Sequence, residues 1–211
     1  MYPISYEADF NPTPSRGTTF FRLILAIPWF VVAIFWGILF AVTHLIAWLA
    51  IIIVGRYPEG LYKFNSGVVR FSIRVSAWVY LQTDAWPPFT LGDDPNYPIR
   101  VNFAPPAERQ SRLKAFFRFI LAFPVLLVYS YGVAYMIMTA GLVAWLTIVF
   151  RGYLPEGINN FLTYGHAFEA RVLGYIALLT DDYPPIGLEA SKSAAVVPPA
   201  APPVPPAAPT V

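Results

Sequence analysis

The chain contains no cysteine, so it has no disulfide framework, thiolate metal site or thiol nucleophile. Charge is scarce too: charged residues are 12% of the total, against about 25% in soluble domains. Histidine occurs only at His44 and His166, too far apart for an HxxxH or HExxH pair, and no metal site is expected. The net charge of +2 comes without a basic stripe, which argues against nucleic acid as a partner. No nucleophile elbow, phosphate loop or dinucleotide fingerprint occurs, so no catalytic residue and no cofactor is assigned. Met1 to Asn11 lacks a basic stretch and carries Glu7 and Asp9, unlike a signal peptide, so the first apolar segment is expected to stay in the protein.

What the chain does have is hydrophobic length. Hydrophobic residues reach 57%, and two stretches, Leu23 to Gly55 and Phe119 to Phe150, contain no charge at all. About 20 apolar residues cross a bilayer. The composition therefore reads as an integral membrane protein, with the lipid bilayer as its first partner.

The two stretches belong to a duplication. FFRLILAIP at Phe20 to Pro28 returns as FFRFILAFP at Phe116 to Pro124, an offset of 96. AWLAIIIVGRYPEGL (Ala47 to Leu61) returns as AWLTIVFRGYLPEGI (Ala144 to Ile158), and TDAWPPF (Thr83 to Phe89) as TDDYPPI (Thr180 to Ile186), both at 97. Near-constant offsets at separated landmarks mark a tandem repeat. The division is a first copy over 1–96, a second over 97–190, and a disordered Pro/Ala-rich tail over 191–211, where seven prolines fall between Pro198 and Pro209. PxxP spacings there, such as Pro203 to Pro206, follow from composition.

Each copy opens on an alternating segment, Tyr2 to Phe10 or Tyr97 to Phe103, the period of a strand. Leu23 to Val54 as one helix is about 48 Å long, more than a bilayer core of roughly 30 Å, so it must tilt, kink or protrude. The next segment, Leu61 to Leu81, carries Lys63, Arg70 and Arg74. It either returns across the membrane with its basic face against a partner, or lies amphipathically at the surface; the fold expectation takes the return. The expected fold class is an all-α membrane protein of two tandem transmembrane helical hairpins, about four crossings, with a small cytoplasmic β-sheet. That sheet is expected to pair Pro88 to Leu91 with Tyr97 to Phe103 across a GDDPN turn, and Tyr2 to Phe10 with Pro185 to Glu189. Lysine and arginine crowd the entry side (Arg16, Arg22, Arg100, Arg109, Arg112, Lys114, Arg118, Lys192) over the opposite loops (Arg56, Lys63, Arg151), which makes both termini cytoplasmic.

Candidate ligand or partner residues follow from cost and placement. His44 is the one imidazole inside an apolar run, where an ionisable group is a functional candidate, against a plain interhelical hydrogen bond. Arg70 and Arg74 are four apart on one helix face, and Arg171 repeats Arg74 while Ala167 replaces Arg70. Arg56 with Glu59, and Arg151 with Glu156, sit in the paired loops, where ion pairing competes with headgroup or partner recognition. His166 lies three residues before Glu169 and can pair with it. Asp84 and Asp181 are expected to serve the following turn through Asx-type bonds, or to face each other as an acid pair.

GRYPEGL, the arginines at Arg70 and Arg74, TD-x-x-PPF and YPI-x-V together resemble a bacterial membrane-domain family of unknown function, over Tyr2 to about Leu188. The resemblance implies a multi-pass protein of the bacterial cytoplasmic (inner) membrane and brings no catalytic residues. The expected role is a non-enzymatic structural or accessory protein that associates with itself or another membrane protein. The alternative is a small transporter or lipid-binding protein with a site between parallel repeats.

Overall fold

Strand β1 (Ile4–Ala8) and short helices α1 (Arg16–Phe20) and α2 (Arg22–Leu25) lead into α3 (Ile27–Val54) and α4 (Glu59–Val79). The second copy repeats the order with β2 (Ile99–Phe103), α5 (Arg112–Phe116), α6 (Arg118–Val128), α7 (Ala134–Arg151) and α8 (Glu156–Ile176). The computed structural model describes residues 2–186. The tail over 191–211, Lys192 and most of the expected Pro185–Glu189 strand lie outside them.

Helix α3 starts after a break at Ala26, with Pro28 in its first turn, where the missing N–H costs nothing. In the second copy that break is absent, and Pro124 lies inside α6. A five-residue π-helical turn, Tyr129–Val133, joins α6 to α7, giving one apolar helical stretch over Arg118–Arg151. Both long helices stop at a glycine in the left-handed region, Gly55 at φ 78° and Gly152 at φ 80°. Helix α4 ends in a Schellman closure, Gln82 N–H to Ala77 C=O, with a leucine rather than glycine at positive φ (Leu81, 68°).

The copies face each other in opposite directions. The start of the second copy lies at the end of α3: Gln110 N–H donates to Gly55 C=O, Trp48 Nε1 donates to Ala115 C=O, and Arg112 lies over Gly55. Reciprocally, Arg16 lies over Gly152, and Phe20 stacks on Trp145. Helices α3 and α6–α7 are therefore antiparallel, not parallel as expected. The arginines assigned to an entry side and to opposite loops are neighbours here, so the charge count does not sort them onto two faces.

The strands pair across the copies. β1 and β2 form one antiparallel ladder, Ile4 opposite Phe103, Tyr6 opposite Val101 and Ala8 opposite Ile99, a register a two-fold relation maps onto itself. This corrects the expected pairings. Pro87 and Pro88 lack N–H donors, and the carbonyl of Leu91 is taken by Arg70 Nη1 at 3.2 Å, so Pro88 to Leu91 builds no strand.

Helices α4 and α8 form the centre. Each is mostly buried beyond its first turns; α4 touches α3, α8 and β2, and α8 touches α7, α4 and β1. On α4, Tyr62, Arg70 and Arg74 bond to the β2 segment, while Phe71 and Val75 pack with Trp29 of α3. At 100° per residue these stripes are about 130° apart. The sheet therefore covers one side of the central pair and the long helices the other. Four crossings are not supported: two helical stretches, Ile27–Val54 and Arg118–Arg151, are long and apolar enough to cross a membrane. The expected return helices α4 and α8 are core helices: Arg74, Glu169 and Arg171 are buried, and Ser76 of α4 donates to Glu169 of α8.

Candidate functional site

The outer faces of the long helices are bare. On α3, Val31, Ile34, Phe35, Ile38, Val42, Leu45, Ile46 and Ile53 are exposed over its whole length, and Phe119, Ile120, Phe123, Tyr131, Met138, Leu142 and Phe150 are exposed on the other stretch. At 28 residues, α3 is about 42 Å long and shows a strip about 10 Å wide, some 400 Å² of apolar surface. Its counterpart roughly doubles that, beyond what a soluble monomer usually leaves open. The far side of the molecule is polar: Arg100 bridges Asp9 at 2.7 Å and Glu7 at 3.3 Å on the outside of the sheet.

Each end of the bare face carries the same clamp. Arg22, 2% exposed, donates to Asp84 at 2.5 Å and stacks over Trp78 at 4.5 Å; Arg118 donates to Asp181 at 2.7 Å and stacks over Tyr175 at 4.1 Å. The second oxygen of each aspartate accepts the backbone N–H of Ser15 or Ser111, both at 2.7 Å. The expected roles of the aspartates are corrected: Thr83 and Thr180 serve the turns by accepting from Ala85 and Asp182, and each aspartate is held by its own arginine rather than by the other.

The copies diverge at one place. Glu169 accepts from Tyr129 Oη at 2.9 Å and Ser76 Oγ at 3.2 Å, and meets His166 Nδ1 at 2.9 Å. Beside it, Tyr6 donates to Gln82, and Gln82 to Thr163, both at 2.6 Å. The duplication aligns Tyr129, His166 and Glu169 with Ala33, Val69 and Ser72, and Ser76, Tyr80 and Gln82 with Leu173, Ala177 and Leu179. One side of the two-fold relation between α4 and α8 is thus polar and its mirror side largely apolar. His166 is wholly buried, with the rings of Tyr6 and Tyr80 at 6.1 Å and no bonding partner for Nε2 among the described residues. The acid–imidazole pair ties α8 to α4 through Ser76 and to the π-helical turn through Tyr129, which helps hold the two copies in register. The pairing of His166 with Glu169 is legible from their spacing; Tyr129, Ser76 and Gln82 show only when the copies are compared position by position.

The candidate residues separate into three groups. Arg70 donates to the carbonyls of Val101 and Leu91, and Arg74 to those of Ile99 and Gly92, with Asp93 at 3.8 and 3.6 Å. Burial pulls both guanidinium groups below their ordinary pKa and Asp93 pulls the other way; arginine stays charged. They bind the β2 segment, which positions the sheet. Arg171 is buried with its guanidinium carbon 6.0 Å from the Tyr2 ring, matching Arg74 over Tyr97. His44 stacks on Phe40, and its Nδ1 has no bonding partner among the described residues. Arg56 and Arg151 are exposed, while Glu59 and Glu156 occupy the first turns of α4 and α8, where negative charge suits the helix dipole. Among the described residues neither loop closes the expected arginine–glutamate pair, and no group of acids and histidines is arranged to hold a metal ion.

The family model described as Domain of unknown function (DUF4389) matches residues 16–90 and again 112–186, in keeping with the duplication. No curated protein and no solved structure matches the chain.

Proposed function

Because the chain belongs, as two copies, to a family described only as a domain of unknown function (DUF4389), its role has to be read from its own geometry, and we propose that it is a non-enzymatic accessory protein seated in the surface of the bacterial cytoplasmic membrane. The observation that carries this reading is the bare apolar face of α3 and α6–α7, opposite the charged outer face of the sheet. A bilayer placed upright around α3 would enclose what packs beside it. Val32, Ala33 and Trp36 of α3 share a cluster with Phe71, Val75 and Leu91, at the level of Arg70, Arg74 and Asp93. Ion pairs and a strand edge at that depth are costly. Laid flat, the long helices bury their outer faces in one leaflet and leave the charged outer face of the sheet in water. The bacterial membrane is the setting the resemblance implies, and a second copy or another membrane protein is the expected partner.

The absence of cysteine makes the test free of background. Spin labels at single cysteines replacing Val31, Ile38, Leu45 and Ile53 report depth in lipid vesicles. Equal depths support the flat seating; a depth profile that peaks at Ile38 and falls toward Val31 and Ile53 overturns it in favour of a crossing. Extraction in native lipid discs then tests the accessory role: a clean monomer without a stoichiometric partner counts against it.

A groove favours a second reading, lipid binding between the copies. Leu23, Val79, Met138, Leu142 and Trp145 line an apolar groove of about 320 Å³ between α2, the end of α4 and α7. If that groove holds a lipid chain, Leu142→Trp reduces co-purified lipid while leaving insertion intact.

A further inference from the structure

A polar cleft of about 380 Å³ lies where α3 ends and the second copy begins, lined by Arg56, Arg109, Arg112, Gln110 and the backbone at Val54 and Gly55. All three arginines are exposed. Among the described residues no carboxylate forms an ion pair with any of them. Glu59 and Glu108 line the adjoining cleft on the other side of Arg56. The three guanidinium groups converge on this one cleft.

Two further features give the cleft a direction. Gln110 is 6% exposed and anchored, its N–H on Gly55 C=O and its Nε2 on Leu178 C=O, each at 2.9 Å, which fixes the start of the second copy against the end of α3 beside the three guanidinium groups. The cleft also opens at the edge of the bare apolar face, next to Val54 at 61% and Leu113 at 69% exposure. The duplication places Thr13, Pro14 and Tyr153 where Arg109, Gln110 and Arg56 stand, leaving Arg16 and Arg151 at the other end. The cleft is built once, not twice.

We infer that Arg56, Arg109 and Arg112, set around the anchored Gln110, form a binding site for the phosphate of an anionic phospholipid headgroup. The inference rests on the membrane-surface reading and goes beyond it by naming a lipid class. Forked guanidinium groups match phosphate oxygens. The apolar edge beside the cleft leaves the acyl chains in the leaflet that α3 is taken to occupy.

The test uses the full chain in phosphatidylcholine nanodiscs, with and without phosphatidylglycerol, and reads the thermal midpoint and retained lipid. The wild type should be stabilised by phosphatidylglycerol, and R56Q/R109Q/R112Q should lose at least about tenfold of that preference. R16Q/R151Q should retain it, which separates the cleft from general surface charge. An unchanged preference in the triple variant overturns the site. A second arm titrates inorganic phosphate onto detergent-solubilised protein. Stabilisation by phosphate alone, with no advantage for phosphatidylglycerol, keeps the arginine site but overturns the headgroup as its occupant. Failure to enter phosphatidylcholine discs would sink the membrane-surface reading, and the phosphate arm would still decide the cleft.

Discussion

Tyr129 Oη donates to Glu169 Oε1 at 2.9 Å, across the joint where α6–α7 meets α8. Tyr129 is the first residue of the π-helical turn, and a π-turn rotates the residues around it relative to a regular α-helix. The first copy has Ala33 and an unbroken α3 at that point. The turn and the tyrosine go together: one aims the other at a carboxylate inside the molecule.

Tyr129→Phe therefore removes one of three partners of Glu169 and leaves Ser76 and His166. The expected cost is about 1–2 kcal/mol. Glu169→Ala instead leaves His166, Ser76 and Tyr129 without their shared acceptor, and should cost about 3 kcal/mol or more. Denaturant midpoints in one detergent check the order. Equal losses would mean that the network does not converge on Glu169.

The ion clamps should respond asymmetrically. The side chain of Arg22 is 2% exposed and that of Asp84 24%. Asp84→Ala strands a buried guanidinium and should cost about 3–5 kcal/mol. Arg22→Met leaves Asp84 in reach of water and still bonded to Ser15 N–H, for about 1–2 kcal/mol. Arg118 and Asp181, at 2% and 23%, should repeat the pattern. Thermal unfolding of the four single variants checks it, and a larger loss from the arginine changes would contradict it.

Much of this architecture is legible in the residues, and the rest is hidden for identifiable reasons. The offsets from Phe20 to Phe116 and from Thr83 to Thr180 reveal the duplication, and the alternation over Tyr2 to Phe10 and Tyr97 to Phe103 locates both strands. Alternation carries no information about which strand pairs with which; here each finds its counterpart in the other copy. The spacing of Arg70 and Arg74 gives a shared face, but the carbonyls they bind, at Val101 and Ile99, belong to a strand 25 or more residues downstream. An uncharged run also has no direction. Leu23 to Gly55 fits a crossing and a flat apolar face equally well. Arg22 and Asp84 read as an entry charge and a turn residue because they stand 62 positions apart.

Gly67 shows how closely the chain after α4 returns onto it. A Cβ there would lie 2.8 Å from both Cβ and O of Leu91, and that carbonyl also accepts from Arg70. Backbone cannot swing aside as a side-chain tip can, so Gly67→Ala should cost about 1–3 kcal/mol. Gly17, in α1, has nothing within 4 Å, and Gly17→Ala should be neutral or stabilising by up to about 1 kcal/mol. Chemical denaturation of the pair tests this, and a neutral Gly67→Ala would show that the segment around Leu91 is not held against α4.

The last prediction concerns alkaline pH. Tyr57 accepts from Asn65 Nδ2 at 2.7 Å and donates to Ala177 C=O at 3.3 Å; Tyr62 donates to Ala104 C=O at 2.5 Å. Burial pushes each phenol up to about 12, from an unfolded value of about 10. The folded state favours the neutral form, so this stabilisation is whole below about pH 10 and is lost as pH climbs to about 12. Each tyrosine should give up about 2–3 kcal/mol over that interval. Ionisation removes the donated proton and turns a phenolate toward a carbonyl oxygen, while Tyr6 and Tyr97, held higher still by burial, titrate later. Phenolate absorbance followed alongside denaturant midpoints should show the two moving together. The Y57F/Y62F double variant, weaker at neutral pH for want of those hydrogen bonds, should lose most of the slope between about pH 10 and 12. An unchanged slope would assign the alkaline transition to other groups.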